Sequence, residues 1–112
     1  MTQLQTAAVQ KIKIDRKEFA TIGDEAGVLT VYRWLENNEA ILVDVRETSE
    51  YEQEHIPGSL LSPLSTLDPK RFPRIEAKKL VLHCAIGKRS AAAQIQLWKT
   101  GYQPPAINMT GG

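Results

Sequence analysis

Short apolar runs alternate with one-sided apolar patterns along the chain. Residues 41–43 and 80–83 form nearly continuous apolar runs, which are typical of parallel strands covered on both faces. Apolar positions recur at helical spacing from Val28 to Leu35, ahead of two asparagines, and again along 90–98. Strands that alternate with helices predict an α/β fold with a central, mostly parallel sheet and helices on both faces.

Shorter segments complete this prediction. Residues 48–53 are polar and acidic, and they predict a short helix capped by Thr48 or Ser49. Gly101 follows the last helical pattern and is expected to stop that helix. The remaining segments are predicted as an edge strand at 11–15, a turn-rich connection at 21–27, a strand at 60–61, a proline-containing loop at 62–74 with at most one helical turn near residue 65, and a strand at 106–109.

Length and composition limit the class of protein. With 112 residues, the chain is expected to form one domain over 11–112, preceded by a flexible tail over 1–10. Hydrophobic residues make up 42% of the chain and the net charge is +1, without a basic cluster, so a nucleic-acid partner is not expected. No apolar run has the length of a membrane span and the N-terminus has no signal-like apolar core, so we expect a soluble, cytoplasmic protein.

Cys84 is the only cysteine, and it follows the strand predicted at 80–83. One cysteine and two histidines make a poor metal site, so no metal is expected and the thiol is left for packing or for chemistry. A lone cysteine is more often a buried apolar residue than a nucleophile. The residues that follow change this balance, because a short loop leads directly into helix-forming alanines.

The loop after Cys84 favours a thiolate. Gly87 allows a positive φ, so that consecutive backbone N–H groups can point inward, and Ser90 is a candidate N-cap. Unpaired N–H groups at a helix start attract anions, and the charges of Lys88 and Arg89 act in the same direction. A cysteine of pKa about 8.5 is only ~3% thiolate at pH 7, whereas at about 6.5 roughly three quarters is ionised. The sequence therefore predicts a reactive thiol.

Three segments together resemble single-domain rhodaneses. The loop Cys84-Ala85-Ile86-Gly87-Lys88-Arg89-Ser90 resembles the active-site loop of these sulfurtransferases, and residues 42–47 and 55–59 are similar to two further hallmarks of the family. A Gly-Tyr pair at 101–102 and a double glycine at 111–112 also match. The resemblance implies a rhodanese-like fold. Members usually continue past the double glycine into another helix, so the resemblance also implies one of two alternatives: the domain is cut short after Gly112, or its sheet is closed differently.

The resemblance implies sulfur transfer through a persulfide on Cys84. A small anionic donor such as thiosulfate would give its outer sulfur to the thiolate, and cyanide, a thiol or a carrier protein would then accept it. No cofactor is implied. The loop N–H groups would form the anion cradle, and Lys88 and Arg89 would attract the donor. The residues of this cradle are Ala85, Ile86, Gly87, Lys88, Arg89 and Ser90.

Two interpretations exist for each of Asp44, Arg46, Arg89 and His55, and one for His83. Asp44 is expected to cap a turn and pair with Arg46, and both are supporting site residues because the matching arginine in the family lies near the active-site pocket. Arg89 either attracts the donor or pairs with a carboxylate. His55 suggests a cysteine–histidine dyad, but a turn histidine bonded to backbone is the preferred interpretation. His83 precedes Cys84 in a strand, so their side chains are expected on opposite faces.

Two other functions remain open. Cysteine-dependent phosphatases and arsenate reductases of related fold also use a cysteine, an amide cradle and an arginine, but they have five residues between cysteine and arginine, whereas four separate Cys84 from Arg89. The other alternative is a sulfur relay or regulatory binding module without turnover. Inactive members usually lack the cysteine, which this chain keeps. Glu54 departs from the family pattern, which commonly has glycine there.

Overall fold

The computed structural model describes residues 25–75, 77–103 and 105–111. Within these residues, strands and helices alternate along the chain. The elements are β1 Glu25–Gly27, α1 Val28–Glu36, β2 Ala40–Asp44, α2 Thr48–Gln53, β3 Leu60–Leu61, a 3₁₀ turn Leu64–Thr66, β4 Lys79–His83, α3 Lys88–Lys99 and β5 Ile107–Thr110.

The strands form one parallel sheet in the order β1-β5-β4-β2-β3. The two faces of β4 are covered by different helices. Leu80 and Leu82 belong to an apolar cluster with Leu97 of α3, whereas Val81 belongs to a second cluster with Val31 of α1. The sheet is thus covered on both faces, which explains why the central strands are continuously apolar. The predicted α/β architecture is confirmed.

The strand register brings the ends of β2 and β4 together. Asp44 is paired with His83, and the backbone N–H of Val45 donates to the His83 carbonyl at 3.0 Å. Because both strands are parallel, Arg46 and Cys84 then leave the same carboxyl edge of the sheet, where ligands bind in open α/β folds. This edge was predicted from the two apolar runs.

Helix caps and one strand differ from the sequence prediction. The cap of α2 is Glu47, whose carboxylate and that of Glu50 form a reciprocal capping box, so the prediction of Thr48 or Ser49 is wrong. Helix α3 begins at Lys88 after the cap Gly87, and the predicted cap Ser90 lies inside the helix. Residues 25–27, predicted as part of a turn-rich connection, form β1 because β5 offers them a parallel partner.

The remaining segments were placed correctly, apart from those outside the described residues. The strands at 60–61 and 107–110, the 3₁₀ turn near residue 65 and the end of α3 before Gly101 all match the prediction. The expected tail at 1–10 and the edge strand at 11–15 lie outside the described residues. In the described part of the chain, no helix is long and apolar enough to span a membrane.

Candidate active site

Cys84 lies between β4 and α3, and its Sγ receives hydrogen bonds from the loop and the first turn of the helix. The backbone N–H groups of Gly87 and Ser90 donate to Sγ at 3.1 and 3.3 Å, and Ser90 Oγ lies 3.4 Å from Sγ. Gly87 has φ +88°, a left-handed conformation that turns its N–H towards the sulfur. The chain thereby forms an anion cradle around the thiol.

The electrostatic environment of Cys84 favours its ionised form. Burial raises the pKa of the thiol, since the residue is only 4% exposed. The Ser90 side chain and the N–H groups of Ser90, Gly87 and Arg89 oppose this effect, and together they hold the pKa below its usual value. Hydrogen bonds to a charged group favour that charge more than they favour the neutral form.

The other residues predicted for the cradle lie in different environments. Ala85 is exposed and lines the cavity in front of Cys84, and Ile86 projects into solvent with 76% of its surface exposed. Lys88 is exposed at the first position of α3. Of the loop segment 85–90, Gly87 and Ser90 contact the sulfur directly. The cradle is therefore built by a glycine turn and a helix start rather than by every predicted residue equally.

Arg89 is held by a carboxylate rather than aimed at the thiol. Its Nη1 and Nη2 atoms donate to Glu50 Oε1 and Oε2 at 2.7 and 3.1 Å, a bidentate pair across two helices. The Arg89 side chain and the Glu47 backbone N–H lower the pKa of Glu50 to about 2. Of the two roles predicted for Arg89, the structure contains the ion pair, which fastens the Cys84 loop to α2.

Asp44, Arg46 and His83 form a second polar cluster beside the loop. Asp44 is fully buried and accepts hydrogen bonds from Arg46 Nε at 3.0 Å, Nη2 at 2.9 Å and backbone N at 2.9 Å. Arg46 Nη2 also donates to the Glu54 carbonyl at 2.7 Å. His83 Nε2 lies 3.4 Å from Asp44 Oδ2, without the alignment of a hydrogen bond. The expected Asp44–Arg46 pair is present.

This cluster keeps Asp44 ionised. Burial raises the pKa of Asp44, but the Arg46 hydrogen bonds and the neighbouring charges lower it further, and the result is below the usual value. Burial lowers the pKa of His83 more than the Asp44 charge raises it, so the imidazole is harder to protonate than an ordinary histidine. Asp44 therefore carries a charge that the Arg46 guanidinium compensates.

A cavity of about 560 Å³ opens in front of Cys84. Its wall contains Arg46 and His83 as well as apolar residues of α1, Val28 and Tyr32. The prediction that His83 and Cys84 face opposite sides is therefore incomplete, because both border this cavity where the chain leaves the sheet. No group of three or more candidate metal ligands occurs in residues 25–75, 77–103 and 105–111.

His55 also borders the cavity, as a turn histidine. Its Nδ1 lies 2.7 Å from the Tyr51 carbonyl, and its ring stacks on the Tyr51 ring with a centroid distance of 3.7 Å. A carbonyl can only accept, so Nδ1 carries a proton and donates. This is the backbone-bonded arrangement that the sequence favoured over a cysteine–histidine dyad.

Sequence reasoning missed one polar residue next to the thiol. Asn108 of β5 is buried, and its Oδ1 accepts a hydrogen bond from Ser90 Oγ at 2.5 Å. It stands between Ile107 and Met109 in a strand predicted only for its apolar character. A polar residue inside such a strand was the available signal, since buried amides need partners.

Comparison with known proteins finds a matching family model and several similar proteins. The family model described as "Rhodanese-like domain" matches residues 28–112. A thiosulfate:glutathione sulfurtransferase of Saccharomyces cerevisiae is 40% identical over 80 residues, which cover 60% of this chain and 58% of that protein. An uncharacterised protein of Synechocystis is 39% identical over 83 residues, or 74% of this chain and 46% of that protein. The chain thus spans about half the length of these curated relatives.

Solved structures show the same similarity. A human single-domain sulfurtransferase superposes with a TM-score of 0.65 and 28% identity, covering 79% of this chain and 89% of that chain. The predicted rhodanese-like fold is confirmed. Because the family model extends from the start of α1 through the Cys84 loop to the final glycine, the chain belongs to the rhodanese-like domain family.

Proposed function

We propose that this protein is a sulfurtransferase that carries sulfur as a persulfide on Cys84. In the first step, the thiolate attacks the outer sulfur of a donor such as thiosulfate. The S–S bond of thiosulfate breaks, sulfite leaves with its electron pair, and Cys84 keeps a persulfide anion. In the second step, a nucleophile attacks the outer sulfur of this persulfide and the Cys84 thiolate is restored. No net oxidant or reductant is consumed.

The observation that carries this proposal is the donor set on Cys84 Sγ. Two backbone N–H groups within 3.3 Å, from Gly87 and Ser90, stabilise negative charge on sulfur without blocking the cavity side. These donors are fixed before the reaction and need no reorganisation as charge develops. The same cradle would hold the persulfide anion. Membership of the rhodanese-like family and the sulfurtransferases among its relatives support the same reaction.

The charges around the cavity suggest how an anionic donor is bound. Arg89 is neutralised by Glu50, so it contributes little net attraction. Lys88 is exposed beside the cradle, and Arg46 borders the cavity although its guanidinium is shared with Asp44. We assign donor attraction mainly to Lys88. Asp44 and Arg46 act as supporting residues that shape the cavity wall.

The acceptor proposed for the second step is a thiol or a sulfur-acceptor protein, with cyanide as a substitute in the assay. The cavity of about 560 Å³ is larger than thiosulfate needs and falls in the range of small-molecule sites. Its mixture of apolar and basic walls suits a thiol such as glutathione, the acceptor in the name of the yeast relative. The cytoplasmic location expected from the sequence stays a prediction.

A phosphatase is less well supported by this site. Four residues separate Cys84 from Arg89, and the Arg89 guanidinium is bound to Glu50 rather than facing the thiol. A phosphate would then lack the arginine that such enzymes use. A relay or binding module without turnover keeps the same geometry, and it differs only in the second step.

The test is the intact mass of the protein after incubation with thiosulfate. We expect a gain of one sulfur atom, reversed by cyanide or by glutathione, and no gain in the matched variants Cys84→Ala and Cys84→Ser. Circular dichroism confirms that the variants are folded. A folded wild-type protein that gains no mass would rule out thiosulfate as donor. A gain that no acceptor reverses would indicate a binding module.

A further inference from the structure

Ser90 and Asn108 form a buried polar pair behind the thiol. Ser90 is fully buried in the first turn of α3, and Asn108 is 4% exposed in β5. Asn108 is paired with Leu82, whose side chain packs on the α3 face of the sheet, so the amide also points towards α3. The contact joins two residues that are 18 positions apart in the chain.

The Ser90 hydroxyl has three acceptors within reach but only one proton to donate. Asn108 Oδ1 is the nearest at 2.5 Å, followed by the Gly87 carbonyl at 3.3 Å and Cys84 Sγ at 3.4 Å. Asn108 Nδ2 donates to the same Gly87 carbonyl at 3.4 Å, which fixes the amide with its oxygen towards Ser90. The geometry therefore favours Asn108 as the acceptor of the Ser90 proton.

We propose that Asn108 is a positioning residue that draws the Ser90 hydroxyl proton away from Cys84 and so limits the thiolate fraction of the active-site cysteine. When Cys84 is a thiol, its S–H donates to Ser90 Oγ, and Ser90 donates to Asn108. When Cys84 is a thiolate, Sγ and Asn108 Oδ1 compete for the Ser90 proton. This inference deepens the proposed function, because it concerns the same sulfur, and it rests on that function for its role in turnover.

The competition has a chemical use in sulfur transfer. A thiolate that receives fewer hydrogen bonds is less stable but a stronger nucleophile. Once the persulfide forms, the negative charge moves to the outer sulfur, and Cys84 Sγ becomes a weaker acceptor, so Ser90 depends on Asn108 to accept its proton. Asn108 is available as this acceptor at both stages. The amide thereby holds Ser90 in one orientation through the cycle and prevents a buried hydroxyl from losing its partner.

The charged groups near Cys84 do not depend on Asn108. The neutral side chain of Asn108 on β5 is bonded to Ser90, which in turn contacts Cys84 Sγ. The cradle itself is made of neutral N–H groups. The titratable and charged groups around the thiol are Tyr32, Arg46, Glu54, His55 and His83 on the cavity wall, Lys88 and Arg89 in the loop, and Glu50 paired with Arg89. An uncharged substitution at Asn108 leaves all of them in place.

The experiment measures the pH dependence of the alkylation rate of Cys84 with iodoacetamide. In Asn108→Ala, the Ser90 proton is free to turn to Sγ, so we expect a lower pKa of Cys84 and about a fivefold larger thiolate fraction at a pH well below that pKa. In the Ser90→Ala background, the same substitution is expected to change nothing. Thermal unfolding by circular dichroism establishes that each variant is folded.

Asn108→Asp gives the opposite sign and serves as the second variant. A carboxylate is a stronger acceptor for the Ser90 proton and adds negative charge near the sulfur, so the pKa of Cys84 is expected to rise. A rise in Asn108→Ala, no change, or an equal shift with and without Ser90 would overturn the proposal. If only one of the two variants folds, the direction of its Cys84 pKa shift alone decides for or against the proposal. Alkylation needs no sulfur donor, so this result is separate from the persulfide test.

Discussion

Two buried acidic groups lie at the same edge of the sheet, and the protein holds them by different means. Asp44, at the end of β2, meets the guanidinium of Arg46 through bidentate hydrogen bonds. Cys84, directly after β4, meets the neutral N–H groups of Gly87 and Ser90. Both groups have a pKa below the usual value, and in both cases hydrogen bonds outweigh the effect of burial.

The difference explains why one site is structural and the other is suited to chemistry. A guanidinium neutralises the Asp44 carboxylate and occupies both of its oxygens, which leaves it inert. Backbone N–H groups stabilise charge on Cys84 with partial dipoles and leave one side of the sulfur open to the cavity. The loop arginine, which had been a candidate for the thiol, is bound to Glu50. The arginines at this edge, Arg46 and Arg89, are therefore paired with carboxylates rather than with the thiol.

The largest effect on stability is expected from loss of the Asp44 carboxylate, which is held by the full positive charge of Arg46. Asp44→Asn removes the acceptor of the bidentate pair and leaves Arg46 and His83 without the charge that they face. We expect a loss of about 3 kcal/mol in the free energy of unfolding, measured by urea denaturation at pH 7.

The pH dependence of the free energy of unfolding tests whether the charge of Asp44 causes this loss. Because the pKa of Asp44 is lowered in the folded protein, its contribution is complete above the unfolded value of 3.8 and is lost as the pH falls through the folded pKa. Asp44→Asn should therefore lose less stability than wild type between pH 4 and pH 2. Equal stability of the two proteins at pH 7 would mean that the buried charge is not needed.

An intermediate effect on stability is expected at Gly87, whose backbone conformation shapes the anion cradle around Cys84. Gly87→Ala places a side chain at φ +88°, with open space around the new Cβ, so its cost is backbone strain of about 1–2 kcal/mol. If the loop relaxes, the N–H group moves off Sγ, and we expect iodoacetamide alkylation of Cys84 at pH 6 to slow about fivefold.

Gly101→Ala is the matched control for the strain at Gly87. Gly101 has φ +81°, and nothing lies within 4 Å of its added Cβ, but it follows the far end of α3. Both variants should lose similar stability, and only Gly87→Ala should change the alkylation rate. If both variants alkylate at the wild-type rate, the Gly87 N–H group does not contribute to the reactivity of the thiol.

The smallest effect is expected at the exposed pair. Glu50→Gln removes the carboxylate bound to Arg89, a contact at the surface that salt and solvent weaken. The folded pKa of Glu50 is about 2 and the unfolded value is 4.5, so the contribution is present above pH 4.5 and fades towards pH 2. Glu50→Gln should show a slightly lower Tm than wild type at pH 7.

The two melting curves should converge as the pH approaches 2. This convergence is measured by differential scanning calorimetry across that range. A Tm difference that stays constant with pH would show that Glu50 acts through the α2 cap with Glu47 rather than through its charge.

Local pattern predicted the elements well, and it failed where a specific hydrogen-bond partner decides the local structure. The apolar runs at 41–43 and 80–83 placed β2 and β4, because continuous burial is visible in the residues themselves. Thr48 and Ser49 have good capping side chains, yet Glu47 caps α2 because Glu50 returns a hydrogen bond to its N–H. Likewise β1 exists because β5 pairs with it, which no local signal shows.

The residues of the candidate site also fall into two groups, those that the local sequence predicts and those that depend on distant partners. The position of Cys84, the glycine turn and the helix start follow from residues 80–100, because the contacts between them are local. Arg89 had two interpretations that the sequence left equal, since its partner Glu50 is 39 positions away. Asn108 was missed because its partner Ser90 is on another element.

By itself, the sequence determined the alternation of strands and helices, the parallel sheet and the place of the thiol, because periodicity and turn chemistry act over a few residues. The tertiary structure decided which cationic side chains pair with carboxylates and which groups face the sulfur. The register of β5 on β4 puts Asn108 opposite Leu82 and thus beneath Ser90. Contacts between distant elements depend on register and packing, and these are properties of the whole fold.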